Sequence, residues 1–151
     1  MKKIILTLLL TPVSYFLFAQ FVAKAEIKGK VEGICDQKNV YALFEMFADQ
    51  KQAVCAITAP EIEKMLNDSV LFLKDNRGYT DKGMVSLIIN CKGELVKCEI
   101  DNKTKTPLLD EQIVHVLKTL TSWKAGKLKG KSVDSLRLWS FDIADGKISL
   151  K

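Results

Sequence analysis

Histidine is nearly absent from this chain: His115 is the only one among 151 residues. One imidazole cannot build a histidine-based metal site, and no C-x-x-C pair stands in for it. His115 lies near Asp110 and Glu111 in a helical stretch but off its apolar stripe. It reads as an exposed helix residue without the partners that acid–base chemistry requires. Ser135 and Ser140 have no G-x-S-x-G context, which excludes a nucleophile elbow. Asp134 and Asp142 fall in a strand-like segment with no paired acid. No catalytic residue, metal or cofactor is therefore expected. Dense Lys/Arg runs with interleaved aromatics are also missing, which argues against nucleic acid as a partner. Proline is scarce, three in all, and nowhere forms a Pro-rich spacer.

What is present begins with Lys2 and Lys3, followed by an apolar run from Ile4. That order of charge and hydrophobicity is a secretory signal. Ala19 suits cleavage before Gln20, and Ala23-Lys24-Ala25 offers a second site before Glu26. The alternative is an uncleaved anchor, since the stretch from Ile4 to Ala23 is long enough to span a bilayer at about 1.5 Å per residue. Pro12, Ser14 and Gln20 interrupt that stretch, and cleavage is the expected outcome. Removing 19 of the 151 residues leaves 132, enough for one domain with one core. Losing Lys2 and Lys3 lowers the formal charge from +5 to +3. The densest remaining basic stretch is Lys124, Lys127, Lys129 and Lys131. It reads as a solvated loop, or as a contact for an acidic partner or peptidoglycan.

Periodicity divides the rest. Residues 20–34 are polar and read as a flexible leader. Val40, Leu43, Phe44 and Phe47 recur at helical spacing and predict a helix over Asn39–Gln52, with Asp36 near its start. Thr58-Ala59-Pro60-Glu61 is a helix-start signature, and Ile62, Met65, Leu66, Val70 and Leu73 continue it. Residues 35–78 thus form a helical N-terminal part. From Gly83 the period becomes two: Val85, Leu87 and Ile89 face one way, Met84, Ser86 and Ile88 the other. Asn90-Cys91-Lys92-Gly93 is a turn. In the next strand the apolar positions pass from Leu95 to Cys98 and Ile100, which predicts a bulge near Val96-Lys97. Leu109, Ile113, Val116, Leu117 and Leu120 mark a further helix. Val133–Ile143 is a long strand, and Asp145-Gly146 can turn it into a short one at Lys147–Leu150.

The order from Gly83 to Ile148 resembles the C-terminal domain of the TonB family. The resemblance rests on Gly83 before alternating apolars, Gly93 in the turn, the apolar helix face, and Trp123 with Gly126. It covers roughly the last 70 residues, with the domain placed at 79–151. Ala125 stands where the family commonly has proline. The resemblance implies an α+β fold: a three-stranded antiparallel sheet with helices packed on one face, here preceded by two extra helices. It also implies the periplasm, with an inner-membrane-anchored or a secreted form as alternatives. In the family, an extended transporter segment pairs with the last long strand, a case of β-augmentation. Carried over residue by residue, the partner-binding positions are Val133, Ser135, Arg137, Leu138, Trp139 and Phe141. Trp139 and Phe141 also read as core. The implied partner is a protein, an outer-membrane receptor or envelope complex, with a homodimer left open and a membrane expected only if the N-terminal segment is uncleaved.

Four cysteines in an exported chain invite disulfides, and four allow three complete pairings. Cys91 at a turn tip and Cys98 further down the strand are poorly placed to bond. Cys98 falls where the family has an apolar core residue, which implies a buried free thiol. Cys35 and Cys55 flank one predicted helix and are the best remaining pair. Three functions follow as expectations: a strand-pairing module assisting energy-coupled transport, a structural protein binding the envelope or peptidoglycan, and a thiol-active protein using Cys91.

Overall fold

Val85, Leu87 and Ile89 alternate along one strand and set the core-facing side of the main sheet. The computed structural model describes residues 21–27 and 29–151; the expected signal segment, 1–19, lies outside the described residues. The described residues begin with four two-residue strands, β1 (Ala23–Lys24), β2 (Tyr41–Ala42), β3 (Gln50–Lys51) and β4 (Val54–Cys55). Helices α1 (Ala59–Ser69) and α2 (Leu71–Asp75) follow, then strands β5 (Asp81–Ile89) and β6 (Leu95–Asn102), then helix α3 (Pro107–Leu117). The last part holds β7 (Trp123–Lys124), β8 (Gly126–Leu128), β9 (Lys131–Val133), β10 (Ser135–Ala144) and β11 (Lys147–Leu150). The fold is α+β.

β10, β5 and β6 form an antiparallel trio at the centre, and β1, β2 and β11 widen it to six strands. β5 joins β6 through the Asn90–Gly93 turn, closed by the Gly93 N–H on the Asn90 carbonyl at 2.9 Å. The predicted bulge is present: Ile88 pairs with Lys97 and Ile89 with Leu95, so Val96 is the extra residue. It changes the parity of β6 and turns Cys98 inward, where burial pushes its thiol up to about 11. Asp145-Gly146 does turn β10 into β11.

The helices cover the core face. Glu61 receives the Thr58 N–H at 2.8 Å and its hydroxyl at 2.7 Å, fixing the start of α1. Ile62 and Leu66 of α1 meet Leu109, Ile113 and Leu117 of α3 above Val85 and Leu87. Ile113, Val116, Leu117 and Trp123 are buried as their spacing predicts, and Ile100 packs at the margin.

Three expectations need correction. Asn39–Gln52 is not a helix but β2, turns and β3. Val40 and Leu43 are buried, as their spacing suggests, but in extended chain. The Tyr41 N–H reaches the Asp134 carbonyl at 2.9 Å, while Gln50 accepts from the Phe44 N–H and Gln52 donates to the Leu43 carbonyl. Side-chain amides and a distant strand thus serve backbone groups that a helix would have paired locally. The two helices before the sheet are both within Ala59–Asp75. The leader is not detached: Ala23 and Lys24 pair with Ala42 and Tyr41, and Val31 is buried. The lysine-rich stretch is also more than a loop, because β8 pairs with both β3 and β9.

Candidate functional site

β10 is paired along one side from Ser135 to Ile143 by β5. Its other side is shared. β2 takes Ser135 and Leu136, and β11 takes Phe141 to Ala144. Arg137–Ser140 lies between them, and no strand of the described residues pairs there. The carbonyls of Asp134 and Ser140 accept from Tyr41 and Lys151 on this side, each at 2.9 Å. Backbone groups alternate along a strand. Leu138 therefore aims both its N–H and its C=O into the gap. Its side chain is 49% exposed.

The gap opens onto a cleft of about 560 Å³ between β10, β4 and the start of α1, lined by Val54, Ile57, Arg137, Trp139 and Leu150 among others. Trp139 forms the floor at one end, stacked on Trp123 with ring centroids 5.5 Å apart. Trp123 is fixed in turn by its indole N–H on the Leu120 carbonyl at 3.1 Å. Arg137 donates to Gln52 Oε1, and burial lowers its pKa against the opposing pull of Glu45. The cleft thus offers apolar walls, one half-buried guanidinium, and a backbone donor and acceptor at its lip.

Of the six sequence-predicted positions, Arg137, Leu138 and Trp139 line this cleft. Ser135 and Phe141 are buried, and Val133 ends the separate strand β9. The long strand breaks at Asp134, so the open edge is narrower than Val133–Ile143. Sequence reasoning missed the Val54–Ile57 wall and Leu150. The visible signal for the first was an apolar run ahead of the Thr58 helix start.

The disulfide expectation is corrected. Cys35 bonds to Cys91, with an S–S distance of 2.05 Å, and Cys55 and Cys98 are free. Cys55 instead pairs across with Trp123 in the β4–β7 ladder, which removes it from Cys35. Asp134, 2% exposed, secures the bridge. Its carboxylate accepts from the backbone N–H of Cys35, Asp36 and Cys91 at 3.1, 2.7 and 2.9 Å. The two sulfurs and this carboxylate lie within 4.8 Å of one another, as ligands would. The sulfurs are bonded to each other and the carboxylate to three N–H groups, so the trio is a structural knot. Cys91 is accordingly no reactive thiol. His115 is exposed on α3.

Comparisons with protein-family models, with curated proteins and with solved structures find no match to this chain.

Proposed function

We propose that this chain is an exported, non-enzymatic interaction module that takes an extended segment of a protein partner by strand addition at Leu138. The observation that carries the reading is the interval between β2 and β11, where a backbone donor and acceptor face an apolar cleft. Backbone pairing supplies affinity in such a complex, and alternate side chains read the pocket. The occupant presents one apolar side chain toward Trp139 and Leu150. A carboxylate on it would meet Arg137. Since, among the described residues, Leu138 alone in β10 has both backbone groups open on this side, the added strand is short and the cleft contributes most of the contact. The signal-like N-terminus supports an envelope location, and the TonB-like order of elements supports an outer-membrane receptor or envelope complex as the partner. In that setting the module assists energy-coupled transport. The thiol-active reading loses its nucleophile to the Cys35–Cys91 bond.

Leu138→Pro tests this directly. Its N–H faces the gap rather than β5, so the variant gives up no ladder bond of the sheet. A photo-crosslinker at Leu138 should capture a discrete envelope protein, while the same group at Leu71, an exposed apolar site on α2, should not. The folded Leu138→Pro variant should lose that partner. Equal capture by the folded proline variant would exclude strand addition at this edge.

A further inference from the structure

Beside β3 and β8 the molecule carries a face whose backbone is paired but whose side chains, in two parts, are turned to solvent. One part is apolar. Phe21 is 55% exposed and Met46, at the tip of a turn, 84% exposed. The Phe44 and Phe47 rings lie 6.0 and 5.8 Å from Phe21, so the three make one knob. The other part is basic. Lys51 of β3 stands directly opposite Lys127 of β8. Like charges in that position repel and weaken the strand pair. Lys124 follows on β7, opposite the exposed Val54. None of these three lysines belongs to a salt bridge among the described residues. A hollow of about 510 Å³ joins the two parts, walled by Phe47, Val54, Lys51, Lys124 and Lys127, with Glu45 its single acid.

Exposed aromatics next to uncompensated lysines gain most from a surface that is apolar beneath and anionic above. A protruding knob suits a deformable medium better than a preformed protein pocket. The sequence adds a third observation. The apolar run that starts at Ile4 ends at Ala19, two residues before Phe21. Two residues reach at most about 7 Å. Wherever that run meets a bilayer, the knob is delivered to the same surface. Cleavage before Gln20 leaves Phe21 in place and the face intact.

We propose that this face docks on an anionic lipid bilayer. Phe21, Phe44 and Met46 enter the boundary between headgroups and acyl chains, and Lys51, Lys124 and Lys127 lie against lipid phosphates. The domain is thereby held on a membrane through its own folded surface, which adjoins the β10 cleft and shares Val54 and Glu45 with it.

The test uses the full chain with an environment-sensitive fluorophore on Met46→Cys, in a Cys55→Ser background so that the buried Cys98 is the only other free thiol. Met46 is so exposed that its replacement removes no packing. On phosphatidylglycerol-rich vesicles the emission should shift to the blue and be quenched by brominated acyl chains. On phosphatidylcholine vesicles, or at high salt, it should not. Replacing Lys51 and Lys127 by alanine should move the lipid-titration midpoint by about 30-fold, at about one surface lysine's worth of attraction each. A label that stays in water while the chain is vesicle-bound overturns the proposal. So does an equal response on both lipids, which would assign binding to the Ile4–Ala19 run alone. A label already shielded before lipid is added also overturns it, because that run or a second copy would then cover the face.

Discussion

A few carboxylates do much of the positioning in this molecule. Asp134 joins the leader, the β5–β6 turn and the start of β10 through three backbone N–H groups. Asp81 performs a related task at the other end of the sheet. It accepts from the Tyr79 hydroxyl at 2.7 Å and from the Lys105 N–H at 2.9 Å, tying β5 to the approach of α3. Burial pushes the Asp81 carboxyl up, but the N–H of Lys105, the Tyr79 hydroxyl and the Lys82 N–H together hold it below its ordinary 3.8. A carboxylate depressed in the folded state stabilises it above the unfolded pKa, and that contribution is lost as pH falls through the lowered value. The urea midpoint should therefore drop on going from neutral pH to below 3.8, and drop less in Asp81→Asn. Identical pH dependence in the two proteins would show that these hydrogen bonds contribute no linkage. None of this was readable in the sequence. A lone acid in a strand gives no hint that three N–H groups from distant segments converge on it.

At the scale of elements, β5, β6, α3 and the β10–β11 hairpin were readable, because each carries its own period and its own punctuation. Val85, Leu87 and Ile89 repeat every two residues, and Leu109, Ile113, Val116 and Leu117 every three or four. Gly93 shows why the punctuation matters. Its φ is +83°, and a Cβ there would sit 2.5 Å from the Trp123 carbonyl oxygen. Gly93→Ala should destabilise the fold by more than about 1 kcal/mol, because the strain and the collision act together. Denaturant unfolding monitored by Trp123 and Trp139 fluorescence measures it; an unchanged midpoint would mean that the turn relaxes freely. Asn39–Gln52 misled for the converse reason. Its apolar spacing fits a helix, but the distant Asp134 takes the Tyr41 N–H, and the Gln50 and Gln52 amides within the segment serve Phe44 and Leu43, which apolar spacing does not report. The same blindness hid β2, and with it half of what narrows the open edge of β10 to Leu138.

The described residues form a main six-stranded sheet with helices on its core face, two smaller sheets beside it, and an N-terminal segment tied back to the β5–β6 turn by sulfur. The Cys35–Cys91 bond closes a loop with a sequence separation of 56. Replacing both cysteines by serine should lower stability by about 2–4 kcal/mol. Chemical unfolding of the double variant under oxidising conditions checks this, and an unchanged midpoint would mean that Asp134 alone suffices to seat the leader. That cross-link also fixes the mechanics of the chain. Tension entering from the N-terminal side passes at Cys35 straight into the β5–β6 hairpin tip, and the covalent route through residues 36–90 carries no necessary load. Helices α1 and α2 and strand β5 lie on that slack route, so a pull on the leader loads the β1–β2 pairing and then, through Cys91, the start of β6.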